Sequence, residues 1–401
     1  MNIDLVRRVD RWVGVPLCRL LSLIPGSHGT FRGDQSVQRI LVVMLSEMGS
    51  LVLAVPMFQE LRRRYPGAAI HALVFEKNRE LLGLLDVLPA ENIITIDDAT
   101  AGGFVRDSVR AVRAMRRIRV DTVIDAELFT RAGSILSYLS GARARVGFHR
   151  HTQEGLYRGD FINRPVLYNP YQHMSQQFLT LAEAVVSGTH PSGKRLVPSV
   201  LPIVPGIAFA VGEIDAMRRR LAADFPGVDP RMLVLIQPGG GALPIRAWPA
   251  GHYARLAAGL TAAGYRVAVI GPASDREVAR SVIAAAADSR LLDLTGYTPT
   301  VRDLLALFHL APLLVANDGG PAQFSALTPI AAVILYGPET PALYGSLNPR
   351  AAHLHLHLSC SPCLTAYNHR NTPCDGDARC LSGVAPELVL HKALELLAGQ
   401  G

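Results

Sequence analysis

The chain has 401 residues, a formal net charge of +7, and a composition of 49% hydrophobic and 18% charged residues. This length exceeds what one ordinary hydrophobic core accommodates and therefore predicts two domains. The composition excludes a disordered chain, and the positive charge favours anionic partners such as nucleotides, phosphorylated glycans or an acidic membrane surface. Nucleic acid is not predicted as a partner, because the arginines are scattered and no basic motif with interleaved aromatic residues occurs.

Residues 1–30 form a separate segment that is predicted to be an amphipathic helix. Arginines and acids interrupt it and no small-residue cleavage site follows, so a signal peptide is not predicted. No stretch reaches the roughly 20 apolar residues that span a bilayer. One helix face could gather Val6, Val9, Trp12, Val13, Leu17, Leu20 and Leu21, with Arg7, Arg8, Arg11 and Arg19 around it. Two interpretations stay open: an interfacial membrane helix and a helix packed on the first domain.

Apolar runs alternate with helical segments in the first half of the chain. The opening corner, LSEMGSLVLAVPMFQELRRRYP from Leu45 to Pro66, predicts a strand end, a tight turn at Gly49 and an amphipathic helix. Alternating strands and helices predict a doubly wound parallel sheet. The predicted strands are Arg39 to Leu45, Ala68 to Phe75, Asn92 to Ile96 and Asp121 to Ala126, with a helix over Ala101 to Arg117.

The second half repeats this plan after a proline-rich linker at residues 191–206. A buried strand that runs into a glycine turn is predicted over Met232 to Gly241, and another strand over Tyr265 to Pro272. Three more strand ends are predicted at the segments LLDLTGY, PLLVANDGG and IAAVILYGP. The expected fold class is α/β, with Rossmann-like domains at residues 31–190 and 207–401 facing a central cleft. Ligands of open parallel sheets bind outside the carboxyl ends of the strands, so the loops after these strands are the candidate sites.

The loop QPGGGALPIRAWP, from Gln237 to Pro249, combines a glycine turn with a cation. The run Gly239, Gly240 and Gly241 lets the backbone approach a phosphate closely, and Arg246 could pair with a diphosphate through two parallel hydrogen bonds. The alternative is a simple strand-to-helix turn with a surface arginine.

Three further loops carry acids at strand ends. Asp318 precedes Gly319 and Gly320 at a helix start, where N–H groups can hold phosphate, although the carboxylate could instead only cap the helix. The second loop offers Glu339 with Thr340, which could contact a donor sugar or cap a helix. The third offers Asp275, a candidate partner of a ribose hydroxyl.

Four of the five cysteines lie within a short segment, residues 360–380. A CxxC pair followed by two more cysteines is a candidate tetrathiolate site for zinc or iron, formed by Cys360, Cys363, Cys374 and Cys380. Their spacing is not a standard zinc-finger pattern, so free buried thiols or redox-labile pairs are the alternative. Upstream, His353, His355 and His357 share one strand face, as metal ligands or as a polar edge.

Taken in order, these segments resemble glycosyltransferase family 9, the heptosyltransferases of lipopolysaccharide core assembly. The resemblance runs from about Arg39 to Ala398. It rests on the Gly49 corner with Pro56 and LRRRYP, on SGARARVGF, on His173, on PGGG and RAWP, on LTGYT before NDGGP, and on YGPETP. It implies the GT-B fold, with the nucleotide-sugar bound by the C-terminal domain and the acceptor by the N-terminal domain.

The chain departs from the family pattern at three positions. Ser50 stands where the family has its usual catalytic acid, Arg246 where it has a lysine, and Gln323 where it has a histidine. Serine cannot act as a base near pH 7 and is expected to cap helix N–H groups or bind a sugar oxygen, so Glu47 on the same loop is the candidate general base. Glu47, Ser50 and Arg246 are therefore the candidate catalytic residues. The candidate nucleotide-sugar site comprises Gly239, Gly240, Gly241, Arg246, Asp275, Thr298, Asp318, Gly319, Gly320 and Gln323.

The expected function is inverting transfer of a sugar, heptose in particular, from an ADP-heptose-like donor to a lipopolysaccharide-type or other cell-envelope glycan. No cofactor is expected for catalysis. The alternative is an inactive family member that serves as a nucleotide- or glycan-binding scaffold. A NAD-dependent enzyme is a weaker third, because no GxGxxG follows the first strand. Five cysteines without a secretory signal predict a cytoplasmic protein, in peripheral contact with the inner membrane if the N-terminal helix is interfacial.

Overall fold

The computed structural model divides the chain into two compact units. One comprises Met1–Pro202 with Thr365–Asn371, and the other Ile203–Leu364 with Thr372–Gly401. The sequence analysis instead placed residues 365–371 in the second domain. The structure describes residues 7–24, 37–45, 47–128, 130–149, 157–187, 191–241, 243–288, 290–368, 370–372, 374 and 377–399.

The first unit contains a six-stranded parallel sheet in the order β3-β2-β1-β4-β5-β6. Its strands are β1 Arg39–Val43, β2 Ala69–Phe75, β3 Ile93–Ile96, β4 Thr122–Asp125, β5 Ala144–His149 and β6 Arg164–Leu167. Its helices are α1 Val15–Ser22, which continues a π-helical turn at Asp10–Gly14, α2 Met48–Arg64, α3 Arg79–Leu84, α4 Ala101–Arg117, α5 Arg131–Leu139 and α6 Met174–Ala184.

The second unit repeats the arrangement, with the strand order β12-β11-β10-β7-β8-β9. Its strands are β7 Leu233–Gln237, β8 Arg266–Gly271, β9 Leu291–Thr295, β10 Leu313–Asn317, β11 Ala331–Tyr336 and β12 Ala351–His355. Its helices are α7 Glu213–Asp224, α8 Ala250–Ala262, α9 Arg276–Ala286, α10 Val301–Leu310, α11 Gly320–Phe324, α12 Pro341–Tyr344, α13 Arg379–Ser382 and α14 Pro386–Ala398.

Short 3-10 turns connect several elements, and one of them, Pro244–Arg246, carries a candidate site residue. The others are Glu76–Asn78, Ala90–Asn92, Pro230–Met232, Ala273–Asp275 and Ser325–Leu327. Among the described residues, no helix is both long and apolar enough to cross a bilayer.

The central strands are apolar on both faces because helices cover both faces of each sheet. Ile40, Leu41 and Val42 of β1 are fully buried, as are Val234 and Leu235 of β7. This pattern confirms the predicted α/β class with two doubly wound sheets. Strands β5 and β6 were not predicted, because Arg145 and Arg164 interrupt their apolar runs although both side chains are buried.

Each sheet has one point at which the strand order reverses. In the first unit it lies between β1 and β4, which pair directly at Ile40 and Thr122. In the second it lies between β7 and β10, which pair at Val234 and Leu313. The loops that leave these strands diverge to opposite sides and open a crevice, where ligands of such sheets bind.

Candidate functional site

The loop after β7 is held so closely that its glycines are required. A Cβ atom at Gly239 would lie 2.1 Å from Asp275 Oδ2, and one at Gly240 would lie 2.9 Å from the carbonyl oxygen of Leu243. Gly241 has a φ of +61°, in the left-handed region that favours glycine. The glycine run therefore forms a compact turn that larger residues would disrupt.

Asn317, at the end of β10, fastens this turn to the neighbouring strand. Its buried amide donates to the carbonyl oxygens of Pro238 (3.0 Å) and Gly239 (3.3 Å), and its Oδ1 accepts from the Trp248 N–H at 3.0 Å. One side chain thus connects both ends of the glycine loop at the reversal point. This asparagine precedes Asp318 in the sequence motif, but no role was predicted for it.

Arg246 lies in a cluster with two carboxylates, and its side chain is 13% exposed. Its Nη2 donates to Glu339 Oε1 at 2.8 Å, and its Nε lies 3.9 Å from Asp318 Oδ2. The three residues come from the loops after β7, β11 and β10. The structure therefore brings together three side chains that the sequence marked in separate motifs, and Arg246 is not a surface residue.

Burial and mutual charge set the protonation of this cluster. Burial raises the pKa of Glu339 to about 8, against the opposing effect of the Arg246 guanidinium. Burial also raises the pKa of Asp318. Burial alone would lower the pKa of Arg246, but the two carboxylates outweigh it and hold that pKa above its ordinary value. A permanent cation thus stands beside two acids that can neutralise.

Two buried polar atoms near this cluster lack a hydrogen bond within the described residues. They are Nε of Arg246 and Oε1 of Gln323. Gln323 uses its amide nitrogen to donate to the carbonyl oxygen of Tyr344 at 2.7 Å. Because buried polar groups are nearly always paired, an unpaired donor and an unpaired acceptor indicate that a ligand completes the site.

The remaining predicted residues of the second unit are placed as follows. Asp275 lies against Gly239, and burial raises its pKa. Thr298 is half-buried in the turn after β9. Asp318 does not cap α11, whose N-cap is Gly319 without a side-chain hydrogen bond. Thr340 does cap α12, since its hydroxyl accepts from Ala342 N–H at 3.2 Å.

In the first unit, Glu47 and Ser50 lie together at the start of α2. Glu47 is the N-cap residue in an extended conformation, and its side chain makes no capping hydrogen bond. The hydroxyl of Ser50 donates to Glu47 Oε2 at 3.2 Å. The expectation that this hydroxyl caps helix N–H groups is therefore replaced by a contact with the carboxylate. Gly49 lies inside the first helical turn, so the corner turns before it.

Glu47 also forms an ion pair with Arg370, a residue that the sequence analysis did not identify. The Arg370 side chain is buried and that of Glu47 is partly exposed. Arg370 belongs to the segment 365–371, which clusters with the first unit. Arg370 therefore holds the Glu47 carboxylate in place from a distant part of the chain.

A second acid stands beside this loop at the same reversal point. Asp125, the last residue of β4, is fully buried and accepts from Arg158 Nη2 at 2.6 Å. Arg158 Nε also donates to the carbonyl oxygen of Thr130 at 2.9 Å. A Cβ atom at Gly133 would lie only 2.9 Å from Asp125 Oδ1. Asp125 therefore holds the loop after β4 in place through Arg158. No sequence motif predicted this role for Asp125.

The cysteine segment does not form a ligand set in the described residues. Among them, no group of three or more His, Cys, Asp and Glu side chains is arranged to hold a metal ion. Cys360 and Cys374 are exposed and Cys380 is buried. Burial raises the pKa of Cys363, and the nearby thiols of Cys374 and Cys360 add to this effect. The thiols are neighbours, and the metal remains a sequence prediction.

Two doubly wound units, with an arginine–carboxylate cluster at the reversal point of one sheet, define a protein of the GT-B fold class. Residues 108–372 match the family model "Glycosyltransferase family 9 (heptosyltransferase)". The chain belongs to this family and is a glycosyltransferase.

The chain is also similar to named relatives along most of its length. It is 24% identical over 369 residues to lipopolysaccharide heptosyltransferase 2 of Salmonella typhimurium, covering 90% of this chain and 99% of that one. The structure of E. coli ADP-heptose lps heptosyltransferase II superposes with a TM-score of 0.67 at 21% identity, covering 90% of this chain and 99% of that one. E. coli heptosyltransferase WaaC with ADP-2-deoxy-2-fluoro heptose superposes at 0.60 and 16% identity, covering 89% and 99%. These structures share the fold.

Proposed function

We propose that this glycosyltransferase moves a heptose from ADP-heptose to a lipopolysaccharide-type acceptor, with inversion at the anomeric carbon. The relative from Salmonella typhimurium is named a lipopolysaccharide heptosyltransferase, and one solved neighbour carries an ADP-linked fluoro-heptose. The observation that carries the proposal is Arg246 at the reversal point of the second sheet, ion-paired to the buried Glu339 and with an Nε that has no hydrogen-bond partner among the described residues.

Arg246 is suited to a leaving diphosphate. Its bond to Glu339 fixes one edge of the guanidinium and leaves Nε for a ligand oxygen. A diphosphate is a strong acceptor, and a fixed cation stabilises the negative charge that grows as the sugar departs. A diphosphate here would also compete with Glu339 for the cation. Because the pKa of Glu339 is raised, its carboxylate can take up a proton when the diphosphate binds Arg246.

Glu47 is the proposed general base. In a direct displacement the acceptor oxygen bonds to the anomeric carbon as the bond to the diphosphate breaks, and the hydroxyl proton passes to Glu47. Its carboxylate is partly exposed, unlike the buried Asp125 of the same unit. Ser50 orients this carboxylate through its hydroxyl.

The test is transfer from a panel of nucleotide sugars. Purified enzyme is incubated with heptose-deficient lipopolysaccharide and one donor at a time: ADP-heptose, UDP-glucose or GDP-mannose. Nucleotide release and product mass are measured for each donor. Of the three donors, we expect only ADP-heptose to release its nucleotide, and only when the acceptor is present. Nucleotide binding without transfer from any donor would contradict the proposal and support the scaffold alternative.

A further inference from the structure

The N-terminal helix presents its apolar side to solvent and its polar side to the protein. Residues at intervals of four along the segment from Arg7 to Ile24 face inward: Asp10, Gly14, Cys18 and Ser22. Asp10 forms a buried ion pair with Arg131 of α5. A Cβ atom at Gly14 would lie 3.0 Å from Arg131 Cδ. Ser22 Oγ accepts from the Asp160 N–H at 3.2 Å.

The opposite side of this segment is apolar and exposed. Trp12 is 75% exposed and Leu20 63%. The other exposed apolar residues are Val9, Val13, Leu17, Leu23 and Ile24. A helix that is merely packed on a domain buries its apolar face, and this helix does the reverse. The described part of residues 1–30 is therefore packed on the first unit, as one interpretation predicted, but it packs through its polar stripe, and its exposed apolar face needs a separate explanation.

Positive charge accompanies the apolar face. Arg8, Arg11 and Arg19 are exposed along the same segment. The N-terminal helix packs on α5, and α5 in turn packs beside α4, with Met115 and Leu136 in one core cluster. Helix α4 adds further positive charge to this part of the first unit. The exposed arginines of α4 are Arg106, Arg110, Arg113, Arg116 and Arg117. Asp107 pairs with the first two.

We propose that the N-terminal helix docks on an anionic lipid bilayer, with Trp12, Leu20 and their apolar neighbours inserted at the interface. Exposed apolar residues in this number require a covering partner, and arginines beside them match a negatively charged surface. A protein partner or a second copy would have to match both features over one helix. The buried Asp10–Arg131 pair fixes the helix to the first unit, so docking would orient the whole unit.

The chain has two tryptophans, and this gives a direct probe. Trp12 is 75% exposed whereas Trp248 is 1% exposed, so only Trp12 can change its environment on docking. Full-length protein is mixed with phosphatidylglycerol–phosphatidylcholine vesicles or with phosphatidylcholine vesicles alone. We expect a blue shift of emission and co-flotation with the anionic vesicles, both reduced by added salt. The Trp12→Phe variant should still float but lose the shift.

Two sets of variants separate the contributions. Trp12→Ser with Leu20→Ser should reduce vesicle partitioning at least about tenfold, because it removes two inserted apolar side chains. Arg8→Gln, Arg11→Gln and Arg19→Gln should each reduce the preference for anionic vesicles about fivefold. The matched controls lie in the second unit: Leu388→Ser removes an exposed apolar residue, and Arg219→Gln with Arg255→Gln removes exposed charge. They should float as the wild type does.

Three results would overturn the proposal. One is the absence of flotation and of a spectral shift with anionic vesicles. Another is equal loss of binding in the control variants. The third is a concentration-dependent dimer in lipid-free solution that Trp12→Ser with Leu20→Ser dissociates, since the apolar face would then be covered by a second copy. None of these measurements uses donor or acceptor, so their outcome is independent of the proposed transferase activity.

Discussion

The two units carry candidate residues at the same point of the same strand order, but they hold them differently. In the second unit, Glu339 is buried, the Arg246 side chain is 13% exposed, and Asn317 fixes the loop backbone. In the first unit, Glu47 is partly exposed and its described partners are the side chains of Ser50 and Arg370. A ligand site gains from groups fixed before binding, whereas a general base must exchange a proton and therefore needs access. The difference is consistent with the proposed roles, diphosphate binding by the second-unit loop and proton transfer by the first-unit loop.

The largest expected effect is on turnover, and it comes from a substitution in the first-unit loop. Glu47→Gln should lower turnover by about 10²–10⁴-fold, as expected for the loss of a general base. Ser50→Ala should cost much less, because it removes one hydrogen bond to the carboxylate and no proton acceptor. Single-turnover transfer with saturating ADP-heptose measures both. Near-normal transfer by Glu47→Gln would place the base elsewhere.

The second prediction concerns the fastening of the second-unit loop. Asn317→Ala leaves the buried Trp248 N–H and Pro238 carbonyl without partners and should lower the free energy of unfolding by about 2–4 kcal/mol. It should also weaken ADP binding because the glycine loop loses its support. Asn348 is the matched control: it is also buried and donates to the Ile330 carbonyl at 2.9 Å.

Asn348→Ala should destabilise the protein in urea unfolding by a comparable amount while ADP affinity stays unchanged. Equal ADP affinities of the Asn317 and Asn348 variants would show that the loop does not depend on Asn317 for binding. This pair separates general destabilisation from a specific effect on the site.

The third prediction uses the raised pKa of Glu339. Between its ordinary value of 4.5 and about 8, this group binds more protons in the folded than in the unfolded protein. The free energy of unfolding therefore gains a contribution that falls as pH rises through this window. Glu339→Gln should remove that contribution, whereas Glu387→Gln, at an exposed position, should not. Parallel slopes of stability against pH in wild type and Glu339→Gln would contradict the raised pKa.

The smallest expected effect concerns the cysteine segment, which lies outside both loops. Its spacing predicts one zinc or iron per chain, and elemental analysis of protein purified without chelators measures it. Cys363→Ser should lose the metal and Cys18→Ser, in the first unit, should not. Metal-free protein that is folded and active would contradict this prediction, and the free thiols of the described residues would then be its resting state.

The sequence predicted what depends on local pattern. Continuous apolar runs at β1, β7 and β10 predicted buried strands of parallel sheets, and the glycines after those strands predicted the candidate ligand-binding loops. It did not predict contacts between distant segments. Arg370 reaches Glu47 from the far end of the chain, and Asn317 joins a loop from another strand. Short strands interrupted by Arg145 or Arg164 were missed because a buried guanidinium looks like a surface residue in a pattern of hydrophobicity.

The division of roles between the two loops is tested most directly by ADP affinity. Calorimetric titration compares wild type with Glu47→Gln and Arg246→Ala, and Arg219→Ala serves as a surface control. We predict unchanged affinity for Glu47→Gln, and a loss of about 1.5–3 kcal/mol for Arg246→Ala from the missing charge-assisted contact. Unchanged ADP affinity in Arg246→Ala, or a comparable loss in Glu47→Gln, would contradict the account.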